Sequence, residues 1–218
     1  METNYFMTAT IERKAHQMLG KLADHRKFHP LRFKPKGSAL LIIDMQRYFL
    51  DEKSHGFLPS APAIVPGIKA LLEAFRRKNL TTVFTRHLND QNNAKMMSKW
   101  WNDVITEEGG FSEIIKELST VGSTVIRKTQ YDAFYQTTLE DVLKKNGITQ
   151  IVVTGVMTHL CCESTARSAF VRGFEVIIGI DTTATETEEL HLASLTSLAH
   201  GFAIPVLGKE LIKYLVYD

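Results

Sequence analysis

The stretch at residues 150–167 reads QIVVTGVMTHLCCESTAR. An apolar, β-branched run leads into a short turn and then into a helical pattern that opens with two adjacent cysteines. Those two residues, Cys161 and Cys162, are the only cysteines among the 218 residues of the chain. The stretch therefore predicts a buried strand, a turn and a helix, with a thiol at the point where the helix begins.

Similar apolar runs alternate with helical patterns along the rest of the chain. Strands are predicted at residues 39–43, 81–85, 123–127, 150–155, 174–180 and 203–207. Helices are predicted at about residues 63–78, 111–119, 137–146, 162–172, 187–200 and 208–216. The strands are continuously apolar rather than alternating, which indicates a parallel sheet that is buried on both faces. The sequence therefore predicts a three-layer αβα fold around a six-stranded parallel sheet.

The segments outside this alternation suggest how the chain is divided. Residues 10–26 are polar with a periodic apolar face, which predicts a helix on the surface of the main domain. We therefore expect an N-terminal helical arm over residues 1–34 and a single domain over residues 35–218. Residues 86–110 fit no element, and their two tryptophans suggest a lid or a subunit contact.

Composition and charge narrow the classes of partner. The chain is 44% hydrophobic and 23% charged with a net charge of +2, which is ordinary for a globular protein and gives no basic stripe for nucleic acid. No apolar run approaches the roughly 20 residues that a membrane span needs, and the N-terminus lacks the apolar core of a signal peptide. Adjacent cysteines rarely bridge each other, so we expect reduced thiols in a cytoplasmic protein.

Reactive side chains follow three of the predicted strands. Asp44 ends ALLIID, Lys128 ends STVIRK, and Cys161 follows VVTGVMTHL. Singly, the aspartate fits a turn cap, the lysine a solvated cation and the cysteine a small buried residue. Ligands of an open parallel sheet bind beyond the carboxyl ends of its strands, so the shared position favours catalysis.

The three groups also form a coherent chemical set. An ordinary thiol has a pKa of about 8.5 and is mostly protonated at neutral pH. A helix N-terminus and a nearby ammonium both favour the thiolate, so we expect Cys161 to be ionised at neutral pH. A carboxylate within reach can take the thiol proton and pass it to a leaving amine.

The same segments resemble the isochorismatase-like cysteine hydrolases, which include nicotinamidases and N-carbamoyl amidohydrolases. The resemblance covers about residues 35–210 and rests on three segments: ALLIIDMQRYFL, RKTQYDAFYQTTLEDVLKKNGITQIVVTGVMTHLCCESTARSAFVRGFEV and DTTATETEELHLASL. It implies a Rossmann-like sheet of six parallel strands between helices. It also implies a triad in which Asp44 is the general base, Lys128 the cation and Cys161 the nucleophile. Cys162 should then point into packing, about 100° around the helix.

The resemblance further implies a non-proline cis peptide just before the nucleophile turn. In this chain the bond would join Val156 to Met157. The amides of Met157 and Cys161 would then point at one place and form an oxyanion hole.

Two departures from the family pattern bear on function. Nicotinamidases carry a metal-binding D-x-H motif after the second strand, and the corresponding TRHLNDQNN at residues 85–93 lacks it. We therefore expect no metal and no other cofactor, and His87 should be a polar pocket residue. Isochorismatases that cleave a vinyl ether often lack the cysteine, so its presence favours attack on a carbonyl, although the long N-terminal arm resembles isochorismatases.

Three functions remain open at this point. The leading one is a cysteine amidohydrolase that acts on a small amide or N-carbamoyl compound. The alternatives are an isochorismatase, in which Asp44 protonates a vinyl ether, and a non-catalytic binding protein on the same fold. The apolar segments MMSKWW and ELIKYLVY predict a homo-oligomer. Residues that could contact the small-molecule substrate, by position, are Gln46, Phe49, His87, Trp101, Tyr131 and Phe134.

Overall fold

Six parallel strands form a single sheet in the computed structural model, which describes residues 3–90, 92–101 and 103–217. The strands are β1 (Ser38–Ile43), β2 (Thr81–His87), β3 (Thr124–Lys128), β4 (Gln150–Val156), β5 (Glu175–Ala184) and β6 (Ile204–Val206). Their order across the sheet is β3-β2-β1-β4-β5-β6, and every neighbouring pair is parallel.

Helices cover both faces of this sheet. In chain order, the helices of the described residues are α1 (Ile11–Lys21), α2 (Ala23–Phe28), α3 (Arg47–Leu50), α4 (Ala61–Arg77), α5 (Met96–Trp100), α6 (Leu139–Lys145), α7 (Glu163–Val171), α8 (Glu188–Gly201) and α9 (Gly208–Tyr217). Helices α4 and α9 pack together on one face, while α7 and α8 pack together on the other. Every residue of β1 and β4 is buried between these layers, which explains their uninterrupted apolar sequences. The predicted three-layer fold is confirmed.

The direction of chain travel reverses at the centre of the sheet. The chain moves from β1 to β2 on one side and from β4 to β5 on the other, and β1 and β4 are neighbours. This reversal leaves a crevice beyond the carboxyl ends of β1 and β4, where open α/β sheets bind their ligands. The fold therefore places the residues that follow β1 and β4 at the expected binding position.

The helix predicted at residues 111–119 is wrong. That segment forms turns and a short extended stretch that runs antiparallel to the chain after β1. The amides of Arg47 and Tyr48 donate to the carbonyls of Glu113 and Phe111, and the amide of Ile115 donates to that of Met45. These long-range hydrogen bonds outweigh the local helical pattern of the sequence.

The N-terminal residues share the core of the sheet domain. Ala15 and Met18 of α1 are buried, and Tyr5 and Phe6, which precede α1, are 1% and 0% exposed. The predicted division at residue 34 remains a prediction. No helix within the described ranges has both the length and the apolar character needed to cross a membrane.

Candidate active site

Asp44 is held rigidly at the carboxyl end of β1. Its side chain is buried and its backbone has a φ of 47°, in the left-handed region that aspartate tolerates better than most residues. Thr85 of β2 fixes the carboxylate, because its hydroxyl accepts from the Asp44 amide at 3.0 Å and donates to Asp44 Oδ1 at 2.6 Å. The second carboxylate oxygen, Oδ2, faces the other reactive groups.

Lys128 reaches this carboxylate from β3, two strands away. Its Nζ lies 2.7 Å from Asp44 Oδ2, and both side chains are completely buried. The same ammonium lies 3.3 Å from Cys161 Sγ, 3.0 Å from His87 Nδ1 and 2.9 Å from the carbonyl oxygen of Gln130. The structure therefore brings the three predicted catalytic side chains together around one ammonium group.

Opposing effects act on the pKa of Lys128. Burial lowers it, but the ion pair with Asp44 and the contact with Cys161 raise it, and the net shift is upward. The side chain is therefore a permanent cation at neutral pH.

Cys161 lies in a tight turn that joins β4 to α7. The turn is one π-helical turn over Thr158–Cys162, in which the amide of Cys162 donates to the carbonyl of Met157 at 3.2 Å. The Val156–Met157 peptide bond immediately before it is cis, at the position that the sequence analysis proposed.

Gly155 allows β4 to reach this turn. It has a φ of 106°, and a Cβ atom there would lie 2.0 Å from the carbonyl oxygen of Ile43. Only glycine fits here, because the backbones of β1 and β4 are in contact at this position. Beyond it, the two chain segments separate and enter the site.

The two cysteines differ in direction, as predicted. Cys161 lines the pocket described below, whereas Cys162 is fully buried in the core with its Sγ 4.0 Å from the carbonyl oxygen of Thr154. Both thiols are free. Only the first cysteine of the pair is thus placed to meet a ligand.

The expectation that Cys161 is a thiolate at rest is wrong. Burial raises the pKa of its thiol above the ordinary value, and this effect outweighs the lowering by Lys128. Asp44 raises it further, through its charge and by accepting a hydrogen bond from the thiol. The Lys128 charge is shared with Asp44, so the resting site contains a neutral thiol beside a carboxylate that can take its proton.

His87 is neutral and present as a single tautomer. Its Nδ1 accepts from the Lys128 ammonium, and so its Nε2 carries the hydrogen that is donated to Asn89 Oδ1 at 2.7 Å. Burial, followed by the Lys128 charge, lowers the pKa of His87 to about 4. Both ring nitrogens are therefore occupied by protein groups.

A metal does not fit this cluster. Donor atoms of Asp44, His87 and Cys161 lie within 4.8 Å of one another, a spacing at which three ligands can share an ion. All three side chains contact the Lys128 ammonium, which is itself a cation at the point where they converge. A metal bound by these three side chains would have to displace the buried Lys128.

A cavity of about 290 Å³ opens above the thiol. Four of the six residues predicted to contact the substrate line it: Phe49, His87, Trp101 and Tyr131. The indole nitrogen of Trp101 donates to the Tyr131 hydroxyl at 2.6 Å, which joins two walls of the cavity. The segment 86–110 therefore supplies one wall of the cavity. Two residues of this segment, Gln91 and Asn102, fall outside the described residues.

The other two predicted contacts lie elsewhere. Gln46 is fully buried and its amide is occupied, because it donates to the carbonyls of His87 and Ser112 and accepts from the His87 amide. Phe134 stacks on Phe174 at 6.0 Å and lies under Arg172. Both are structural residues, because position along the sequence does not determine side-chain direction in a loop.

The mouth of the cavity contains polar residues that the sequence analysis missed. Asp103 accepts from the Tyr48 hydroxyl at 3.1 Å and lies 3.0 Å from His55 Nδ1, so it connects its own loop to α3 and to the turn after α3. Glu186, which is exposed, lines the same cavity. Glu186 lies two residues after β5, at a position where a strand-end search could have found it, whereas Asp103 follows no strand and is brought to the mouth only by the tertiary structure.

Comparisons with known proteins agree with this architecture. The isochorismatase domain model matches residues 38–210. Nicotinamidase 3 of Arabidopsis thaliana is 40% identical over 173 residues, which are 77% of this chain and 83% of that protein.

Two solved structures show the same fold. The cysteine hydrolase from Pseudomonas syringae pv. phaseolicola 1448A superposes with a TM-score of 0.82 at 24% identity, covering 85% of this chain and 95% of the other. The N-carbamoylsarcosine amidase from Thermoplasma acidophilum superposes with a TM-score of 0.70 at 25% identity, covering 78% and 96%.

Proposed function

The chain belongs to the isochorismatase family of hydrolases, and we propose that it is a cysteine amidohydrolase that cleaves the C–N bond of a small, uncharged carboxamide. One observation carries the proposal: the thiol of Cys161 lies at the floor of the cavity, beside the buried ion pair of Asp44 and Lys128. A thiol next to a general base and a fixed cation is the arrangement that nucleophilic attack on a carbonyl requires.

The reaction begins with transfer of the thiol proton to Asp44. Sγ of Cys161 forms a bond to the carbonyl carbon, and the carbonyl oxygen becomes an oxyanion. We assign the amides of Met157 and Cys161 as its hydrogen-bond donors. Asp44 then gives its proton to the nitrogen, the carbonyl re-forms and the C–N bond breaks. Ammonia or an amine departs, and a thioester remains on Cys161.

Water completes the cycle through the same groups. Asp44 removes a proton from water as the water oxygen bonds to the thioester carbon, the carbon–sulfur bond then breaks, and the proton returns from Asp44 to the sulfur. The products are a carboxylic acid, which ionises at neutral pH, and the regenerated thiol. Lys128 keeps its proton throughout and stabilises negative charge, first on Asp44 and then on the transient thiolate.

The cavity lining supports an uncharged substrate. Among the described residues, those that line the cavity include two acids, Asp103 and Glu186, but no lysine or arginine. An anionic substrate would therefore lose its hydration without gaining a counter-ion. Isochorismate carries two carboxylates, so the lining favours amide hydrolysis over the vinyl ether reaction, and it disfavours N-carbamoyl amino acids in the same way.

The shape and relatives of the site point in the same direction. The walls include Phe49, Phe57, Trp101 and Tyr131, which suit a small flat ring. A relative named as a nicotinamidase and a structural neighbour named as an N-carbamoylsarcosine amidase both indicate C–N hydrolysis. Nicotinamide, an uncharged aromatic carboxamide, is accordingly our first test substrate.

The experiment compares three substrates with the purified full-length protein. Ammonia release is followed with nicotinamide and with N-carbamoylsarcosine, and pyruvate release is followed with isochorismate, each with and without EDTA. We expect the fastest turnover with nicotinamide and no effect of the chelator. Faster pyruvate release from isochorismate, or EDTA inactivation that is reversed by zinc or iron, would overturn the proposal.

A further inference from the structure

His191 is a buried histidine that does not line the cavity. It lies in the first turns of α8 and is completely buried. Its Nε2 lies 3.2 Å from the carbonyl oxygen of Ile180, which only accepts, so Nε2 carries the hydrogen. Its Nδ1 therefore accepts from the Thr158 hydroxyl at 2.8 Å. Burial lowers the pKa of His191 to about 3, so this tautomer stays neutral at neutral pH.

Thr158 is the first residue of the π-helical turn that contains Cys161. Helix α8 holds it at two points, because its hydroxyl donates to His191 and its carbonyl oxygen accepts from the Ser194 hydroxyl at 3.3 Å. Within the turn, the Met157 carbonyl oxygen accepts from the amides of Leu160 and Cys162. The position of the thiol thus depends on a contact between the turn and a different helix.

Residues near the N-terminus hold the His191 ring from another side. The rings of Tyr5 and Phe6 each lie 5.3 Å from it, centroid to centroid. The Tyr5 hydroxyl accepts from the Thr185 amide at 2.9 Å, and the Phe6 amide donates to the Ser60 hydroxyl at 3.0 Å. These two residues precede residues 38–210, which the family model matches. They are therefore a feature of this chain beyond the matched domain.

We infer that His191 is a positioning residue for the Cys161 nucleophile, which it holds through Thr158, and that Tyr5 and Phe6 clamp its ring. The inference rests on the proposed function, in which Cys161 attacks the substrate. A misplacement of about 1 Å in a reacting group can cost about 100-fold in rate. Loss of the Thr158–His191 hydrogen bond should therefore act on kcat more than on KM.

A matched pair of variants tests the first step. Thr158→Val removes the hydroxyl at nearly constant volume, whereas Thr158→Ser keeps it. We expect Thr158→Val to lower kcat about 10- to 100-fold with KM changed less than about twofold, and Thr158→Ser to stay within about threefold of the original protein. Leu215→Ala, in the buried last turn of α9, controls for lost stability and should leave kcat unchanged. A folded Thr158→Val protein with the original kcat would overturn the inference.

Tyr5→Leu tests the clamp. If Tyr5 acts through His191 and Thr158, the single variant Tyr5→Leu should lower kcat about fivefold. In combination with Thr158→Val it should cause no further loss, because the effects of coupled residues are non-additive. Multiplicative losses would contradict the clamp. Failure of the proposed function looks different, since either the original protein would then not hydrolyse the amide or Cys161→Ala would hydrolyse it as well. If Cys161→Ala is inactive while Thr158→Val is fully active, only the positioning role is wrong.

Discussion

Nζ of Lys128 lies 2.7 Å from Oδ2 of Asp44, and neither side chain is exposed to solvent. Burying either charge alone would cost several kcal/mol, and the pair is tolerated because each group is the counter-ion of the other. The pair leaves the site without net charge while it keeps both a base and a cation next to the Cys161 thiol. This relationship underlies most of the predictions that follow.

Loss of the lysine charge should damage both stability and activity. Lys128→Met leaves the Asp44 carboxylate buried without its cation, so the free energy of unfolding at pH 7 should fall by about 3–5 kcal/mol. Urea denaturation measures this change, and turnover should be lost as well. The double variant Lys128→Met/Asp44→Leu should recover most of the stability and none of the activity. A single variant as stable as the original protein would show that the pair is not buried as described.

Removal of the base should make the thiol more reactive while it abolishes catalysis. Asp44 raises the pKa of the Cys161 thiol, so in Asp44→Asn that pKa should fall toward the value that Lys128 alone favours. Alkylation by iodoacetamide at pH 7 should become faster than in the original protein, and amide turnover should disappear.

Both proteins are compared in a Cys162→Ala background, so that only one thiol can react. The original protein should be alkylated slowly at pH 7 and faster as the pH rises. Rapid alkylation of the original protein at pH 7, together with slower alkylation of Asp44→Asn, would show that Cys161 is a thiolate at rest.

The two buried histidines should make the protein acid-sensitive. In the unfolded chain a histidine has a pKa of about 6.5, whereas burial lowers it to about 4 for His87 and about 3 for His191. Below pH 6.5 the unfolded state binds more protons, so stability is fully present above that pH and falls as the pH drops toward the folded values. For His87 the loss by pH 4 is roughly 3 kcal/mol.

Urea denaturation between pH 4.5 and pH 7.5 measures the predicted loss of stability in acid, with the His87→Leu variant as the comparison. The variant should lose less stability than the original protein over that range, because one of the two groups no longer titrates. Equal slopes for the two proteins would mean that the pKa of His87 is the same in the folded and the unfolded protein.

The sheet and the positions of its reactive residues could be predicted from the sequence. Strands that are buried on both faces leave long apolar runs, as in ALLII and IVVT, and the residue after such a run lies at the carboxyl edge. Asp44 follows β1 directly and Cys161 lies five residues after β4, whereas Lys128 ends the edge strand β3, which is mostly exposed; the family resemblance supplies the roles of all three. The sequence reveals these positions because each residue lies at the end of its strand or within five residues of it.

Features that depend on distant contacts could not be predicted. The segment 111–119 has a helical pattern but pairs instead with the chain after β1, and Gln46 is occupied by the backbone of that region. The resting thiol is neutral because burial raises its pKa and because it shares one ammonium with Asp44, and composition and spacing show neither effect. The mouth residue Asp103 lies in a loop that follows no strand, so only the tertiary structure places it beside the cavity.

Oligomer formation remains a prediction from exposed apolar surface. Met96 is 63% exposed and Trp100 is 73% exposed in the segment beside the cavity, and Val216 of α9 is 55% exposed. Surfaces of this kind favour association between copies. Sedimentation equilibrium at micromolar concentration should give a multiple of the 24.6 kDa chain mass, and a mass of one chain would contradict the prediction.

Ammonia release from nicotinamide by Cys161→Ala and Cys162→Ala, measured side by side, tests the central claim most directly. The two substitutions are chemically identical and differ only in whether the lost sulfur lines the cavity. We predict that Cys161→Ala releases ammonia at the background rate. Cys162→Ala should keep near-original turnover and lose on the order of 1 kcal/mol of stability. Turnover by Cys161→Ala, or an inactive but folded Cys162→Ala, would contradict the assignment of Cys161 as the nucleophile.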